Sequence, residues 1–204
     1  MTTPQAVVFD LGKVLLDFDY AISARNIAAR SSSPVARVLK VIEQSPLLIR
    51  YETGLVSSEE FYAQVSAETG FRGDLAEFSR LFGDMFFPIE PMLQLHARLA
   101  AREIPTFIFS NTNEMAVRHI RLRFPFFKSF AAHIFSYEHG AMKPDPKLYE
   151  VVESRTQCEK EEILYLDDLL ENVETGRARG WQVVHHRSAE QSISAIQALL
   201  PLPG

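Results

Sequence analysis

The chain has 204 residues, long enough to bury a core without disulfides or a structural metal. Hydrophobic residues make up 47% and charged residues 23%, an ordinary globular balance, and the single cysteine, Cys158, excludes an internal disulfide framework and a cysteine-rich zinc site. The net charge of −5 gives no electrostatic pull toward nucleic acid.

The N-terminus lacks the basic stretch and long apolar run of a signal peptide, and no apolar run approaches the ~18 residues that span a bilayer. With one unpaired cysteine, this fits a cytoplasmic protein without a membrane or nucleic-acid partner, a monomer or homodimer.

The chain opens with Ala6-Val7-Val8-Phe9, then Asp10-Leu11-Gly12. A short, β-rich apolar run bounded by a glycine reads as a buried strand. From about Leu16 to Pro88 there is no convincing strand, and the pattern is helical. Ser57 with Glu60 makes a capping box ahead of Phe61 and Val65, spaced i, i+4.

An alternating rhythm resumes near Pro91. Met92, Leu95 and Leu99 form a helical stripe, and Thr106-Phe107-Ile108-Phe109 is a strand ending in Ser110-Asn111-Thr112-Asn113. Arg118, Arg121 and Arg123 read as the solvated face of a helix. The aromatic run Phe124 to Phe130, with Phe86-Phe87, reads as core, and His133-Ile134-Phe135 as a weaker strand with His133 packed at its edge. Asp145 and Pro146 suit an N-cap and first turn ahead of Leu148, Val151 and Val152. Ile163-Leu164-Tyr165-Leu166 is a strand ending in Asp167-Asp168, and Gly180 stops the helix carrying Val173. Trp181-Gln182-Val183-Val184 is the last strand. The partly buried surface pair His185-His186 follows it, and adjacent strand side chains point to opposite faces and so do not share a metal. Ser188 with Gln191 starts a final helix bearing Ile193, Ile196 and Leu199, and the tail Pro201 to Gly204 is expected to fray.

Strands alternating with helices of this length predict an α/β fold with a doubly wound parallel sheet and a helical cap inserted after the first strand. The division is 1–15 and 89–204 for the α/β core and 16–88 for the cap. A cap beside a strand end can close a site over a ligand.

Polar residues gather where the predicted strands end. In an open α/β sheet, ligands bind outside the carboxyl ends of strands, so Asp10, the Ser110-Asn111 segment and Asp167-Asp168 converge on one rim. Carboxylates that close raise one another's pKa unless a cation intervenes, and an all-oxygen donor set suits Mg²⁺. Lys143, in Met142-Lys143-Pro144-Asp145-Pro146, offers a mobile positive charge for a carboxylate nucleophile and a phosphoryl group.

These segments carry a resemblance. Val8-Phe9-Asp10-Leu11-Gly12-Lys13-Val14, Phe109-Ser110-Asn111-Thr112, Met142-Lys143-Pro144-Asp145 and Tyr165-Leu166-Asp167-Asp168 with Asn172 resemble, in kind and order, the haloacid dehalogenase-like hydrolase superfamily. The branch is the one whose helical cap follows the first strand. The chain is similar especially to sugar-phosphate phosphatases, of the glucose-1-phosphate type, that carry Asp-x-Gly at the nucleophile. The resemblance implies a Rossmann-like core and a Mg²⁺-dependent phosphatase acting on a small phosphorylated metabolite such as a sugar phosphate. It implies that Asp10 attacks phosphorus and forms an aspartyl-phosphate. Ser110 and the Asn111 backbone then hold the phosphoryl oxygens, and Lys143 steadies the charge. Magnesium falls to Asp10, the Gly12 carbonyl and Asp168. Asp167 binds it through water or orients Lys143, and Asn172 holds the acidic loop behind them.

Gly12 departs from the family pattern, in which a second Asp protonates the leaving group. General acid catalysis is worth ~10²–10⁴ in rate, so its loss favours good leaving groups: an anomeric sugar phosphate, an acyl phosphate or an aryl phosphate. Alternatively Asp17, Asp19 or a cap residue supplies the proton. Phe18, Asp19, Tyr51 and Glu52 are the candidates for cap-side contacts. Two other readings stand beside this one. A 2-haloacid dehalogenase also lacks the second Asp, though it works without metal and gains nothing from Asp167-Asp168. A non-catalytic relative would bind phosphorylated ligands through the same pocket.

Overall fold

The computed structural model describes residues 2–43 and 45–200, so the Pro201–Gly204 tail lies outside the described residues. β1 (Ala6–Phe9) leads to β2 (Leu16–Phe18), then to helices α1 (Tyr20–Ala28), α2 (Val35–Ile42), α3 (Pro46–Glu52), α4 (Ser58–Thr69) and α5 (Leu75–Gly83), and then to β3 (Phe86–Pro88). The rest alternates: α6 (Glu90–Ala100), β4 (Thr106–Ser110), α7 (Glu114–Arg123), β5 (Ala132–Phe135), α8 (Ser136–His139), α9 (Pro146–Thr156), β6 (Ile163–Asp167), α10 (Leu170–Ala178), β7 (Gln182–His185) and α11 (Ala189–Leu199).

The main sheet runs β5-β4-β1-β6-β7, with every neighbouring pair parallel. β1 lies in the middle and is wholly buried, as an uninterrupted apolar strand covered on both faces must be. Its residues alternate between two cores. Val7 and Phe9, with Ile108, Leu164 and Leu166, pack against Met92, Leu95 and Leu99 of α6 and Ile196 of α11. Ala6 and Val8, with Phe107, Phe109, Ile163 and Tyr165, pack against Leu148, Tyr149 and Val152 of α9 and against Trp181. The sheet is therefore doubly wound. After β1 the chain builds β4 and β5 on one side and later β6 and β7 on the other, which puts the switch point beside the end of β1.

The segment between β2 and β3 corrects the sequence reading. It is helical, but its two ends are strands that pair antiparallel, with Leu16 opposite Pro88, Asp17 opposite Phe87 and Phe18 opposite Phe86. Neither strand exceeds three residues, too short for a period-two signal, and β3 ends in a proline. Phe87 is 49% exposed rather than core, because the ribbon turns that face outward; Phe86 packs inward. Helices α1 to α5 have a core of their own, including Ile27, Val38, Phe61, Val65 and Phe78, which Met115 of α7 joins. The capping box of α4 is formed in both directions, and Gly70 ends that helix in the left-handed region at φ +68°.

Candidate active site

Asp10 is the first residue beyond β1. Its N–H still bonds the Leu166 carbonyl of β6 at 2.8 Å, and its carboxylate accepts from the Leu11 N–H at 2.7 Å, so main chain fixes the side chain at the sheet edge. Ser110 ends β4 and is buried. Lys143 comes from the loop between α8 and α9, where the Lys143–Pro144 peptide is cis. Asn111 anchors that loop with both ends of its amide: its Oδ1 accepts from Lys143 N at 2.7 Å and its Nδ2 donates to Lys143 O at 3.0 Å.

Lys143 is not the mobile charge expected from sequence. Its side chain is buried, and its Nζ lies 2.9 Å from Asp10 Oδ1 and 2.6 Å from Asp167 Oδ2 and donates to the Phe109 carbonyl at 2.9 Å. Burial works against its charge, but the two carboxylates outweigh burial and raise its pKa. Asp167 is fully buried at the end of β6. Its Oδ2 also accepts from the Tyr165 hydroxyl, and its Oδ1 accepts from Leu169 N at 2.8 Å and Asn172 Nδ2 at 3.0 Å. Burial would raise its pKa, but Lys143 and these donors hold it below the usual carboxylate value.

Asp10, Asp167 and Asp168 each present an oxygen within 4.8 Å of the others. Burial pushes the Asp10 carboxyl up to about 8; Lys143 opposes this and the charges of Asp167 and Asp168 add to it. Burial and Asp167 raise Asp168 as well. Three carboxylates against one ammonium leave an excess of negative charge. The buried Asn172 Oδ1 beside them has no hydrogen-bond partner. An all-oxygen donor set with an orphaned acceptor fits a hard divalent cation such as Mg²⁺.

Asp10, Gly12, Ser110, Asn111, Lys143, Asp168 and Asn172 line one cavity of about 690 Å³, bounded on the insertion side by Asp17, Phe18, Asp19 and Tyr20. Of the cap-side candidates, Phe18 and Asp19 face this cavity and Glu52 faces a smaller one that adjoins it at Gly12. Tyr51 reaches neither and is a correction: it is buried, with its hydroxyl 2.6 Å from Ser58 Oγ and accepting from Met115 N at 3.1 Å. A β-carbon placed on Gly12 would sit 2.8 Å from Phe18 Cε1, so the ring of Phe18 fills the space a side chain at position 12 would take.

Sequence reasoning missed Tyr165, Ser136 and His185 as supports. Tyr165 lies two residues before Asp167 and therefore on the same strand face, a spacing that could have revealed it. Ser136 bonds both the N–H and the carbonyl of Thr112, holding the loop after β4. The histidine pair is less superficial than expected. His185 Nε2 meets the Asp168 carbonyl at 2.9 Å, whereas His186 is buried and bonds Ser192.

The model of the haloacid dehalogenase-like hydrolase family matches residues 4–180. The chain belongs to that family. It is 24% identical over 185 residues, 90% of each chain, to the sesquiterpene phosphatase astK of Aspergillus oryzae. A predicted haloacid dehalogenase-like family hydrolase of Porphyromonas gingivalis shares its fold at a TM-score of 0.78, with 24% identity and 99% and 100% of the two chains covered. A haloacid dehalogenase family enzyme of Bacteroides thetaiotaomicron, solved in complex with magnesium and inorganic phosphate, does so at 0.76, with 19% identity and 89% and 93% covered. In this haloacid dehalogenase-like hydrolase, then, the chemistry-bearing residues stand together at the carboxyl edge of the sheet, and the helical insertion faces them across the cavity.

Proposed function

We propose that the chain is a magnesium-dependent phosphatase that hydrolyses a small phosphorylated metabolite through an aspartyl-phosphate at Asp10. One observation carries this reading: Asp10 faces a cavity shared with Ser110, Lys143 and Asp168, and its carboxylate is already paired with the buried ammonium of Lys143.

An oxygen of Asp10 attacks phosphorus. The Ser110 hydroxyl and the Asn111 main chain bind the phosphoryl oxygens, and Lys143 spreads the charge that develops between nucleophile and phosphate. Asp10, Asp168 and the Gly12 carbonyl would hold Mg²⁺, which when bound neutralises phosphate charge as a Lewis acid. Asp167 has its oxygens engaged by four donors, so its part is to orient Lys143. Asn172 braces Asp167. The helices between β2 and β3 serve as the cap. The family match supports a hydrolase, and the named phosphatase relative and the magnesium–phosphate complex of the Bacteroides enzyme support this chemistry over halide displacement.

The test is a screen of sugar phosphates, terpenoid phosphates and small alkyl and aryl phosphates, with and without Mg²⁺, using Asp10→Asn as the blank. Phosphate release that requires both Mg²⁺ and Asp10 is expected. Equal release by wild type and Asp10→Asn would sink the reading.

A further inference from the structure

Gly12 leaves a question of proton balance. In phosphate-ester hydrolysis the departing oxygen takes a proton, and position 12 has no side chain to give it. The structure also closes that position, because the Phe18 ring occupies the space.

The carboxylates on the insertion separate: Glu43, just past α2, also lines the larger cavity but is exposed. Asp17 is exposed and lies 2.5 Å from Lys13 Nζ. That hydrogen bond outweighs a little burial and holds its pKa below the ordinary value, so it is ionised and committed. Asp19 spends its carboxylate capping α1, accepting from Ala21 N at 2.8 Å. Glu52 differs from both. It ends α3, and its side chain lines a cavity of about 50 Å³ with Gly12, Phe18, Tyr20 and Ser110. That space admits a leaving-group oxygen or one water. The Tyr20 hydroxyl approaches Glu52 Oε1 at 3.4 Å, and the side chain of Asn113, at the N-terminus of α7, faces it as well.

We propose that Glu52 is the proton donor to the leaving group, delivering from the cap what Gly12 cannot. The proposal rests on the phosphatase reading. In the first step an Asp10 oxygen bonds to phosphorus and the bond from phosphorus to the ester oxygen breaks. The electron pair stays on that oxygen, which takes the proton of the Glu52 carboxyl, directly or through one water. In the second step water attacks phosphorus, the aspartyl bond breaks and its electrons return to Asp10. The Glu52 carboxylate takes one proton of that water, and the other leaves with inorganic phosphate. Burial raises the Glu52 carboxyl to about 7, against hydrogen bonds from Asn113 and Tyr20 that lower it, so near neutral pH it can both give and retake a proton.

Glu52→Gln keeps the shape and an acceptor for Tyr20 but removes the proton. Its kcat/KM is measured with butyl phosphate, whose alkoxide must be protonated to leave, and with 4-nitrophenyl phosphate, whose phenolate need not be. The expected result is a loss of ~10²–10⁴-fold with the first and little with the second. An equal loss on both substrates overturns the proposal. Should the variant fail to fold, the wild type still decides: kcat/KM nearly independent of leaving-group pKa supports an internal proton donor, and a steep dependence refutes it. Asp10→Asn separates the two readings, because loss of both activities there, with equal losses in Glu52→Gln, removes only this proposal. If Asp10→Asn keeps both activities, the phosphatase reading falls and takes the proposal with it.

Discussion

Replacing Lys143 with Met tests how the site is held together. The substitution keeps roughly the side-chain volume and removes the ammonium that stands 2.9 Å from Asp10 and 2.6 Å from Asp167. Both carboxylates are then left buried without a cation beside them, and the Phe109 carbonyl loses its donor. Removing one partner of a buried ion pair costs ~3–5 kcal/mol, because the surviving charge is uncompensated. At ~2–4 °C per kcal/mol for a chain of this size, the midpoint falls by ~6–20 °C. The deficit also depends on pH. Without the ammonium, the folded-state pKa of each carboxyl rises, because Lys143 lowers both. The folded state then binds more protons, and stability is lost as pH rises through the folded pKa. Asp10 already stands at about 8 with Lys143 present, against an ordinary value of 3.8. The difference between variant and wild type should therefore be smallest at acid pH, grow as Asp167 ionises in the wild type, and grow again above pH 8, where Asp10 ionises in the wild type. Metal-free thermal melts followed by circular dichroism measure it. A variant as stable as wild type at pH 8, or a deficit that does not change with pH, refutes the argument that Lys143 balances these charges.

Two further outcomes follow from packing and burial. Gly12→Asp forces its side chain against Phe18 and should cost ~1–3 kcal/mol in urea unfolding, with most of the loss absent in a Phe18→Ala background; the same loss in both backgrounds rules out the clash. His96 is buried, stacked on Phe130 with 3.9 Å between ring centroids, and burial lowers its pKa to about 4. A depressed folded pKa means stability present above the unfolded value of 6.5 and lost as pH falls from there toward 4, up to ~3 kcal/mol. His96→Gln should flatten that limb of the stability curve, and an unchanged limb assigns the acid sensitivity elsewhere.

The five strands of the main sheet and the convergence of Asp10, Ser110 and Asp168 were legible in sequence for one reason. Parallel strands buried on both faces must be continuous apolar runs, and a polar residue directly after such a run marks the edge where ligands bind. The β2–β3 ribbon was not legible, because strands of three residues carry no period and their pairing joins positions some seventy apart. The burial of Lys143 was hidden for a related reason. Met142-Lys143-Pro144 reads as a mobile charge beside the carboxylates, and only the fold shows the ammonium enclosed between Asp10 and Asp167. Tyr51 stood with Glu52 as a candidate for cap-side contacts, yet helical geometry sends adjacent side chains to different faces. Tyr51 turns into the contact with Ser58 and Met115, while Glu52 turns to the cavity.

That last divergence bears on how the two parts of the molecule share the chemistry. Asp10 and the Lys143 ammonium stand at the sheet edge, held by main chain and by Asn111, and do not depend on the insertion for position. Phe18 and Glu52 both belong to the segment that begins at β2 and includes α3. If Glu52 gives the proton, the first half-reaction divides between the two parts: attack on phosphorus is assembled by the core, and departure of a poor leaving group is assembled by the insertion. Phe18 stands between the two parts, because its ring fills the space beside Gly12 and lines the small cavity that Glu52 also lines. A glycine at position 12 is then the condition for this arrangement, since any side chain there would displace the ring that shapes it.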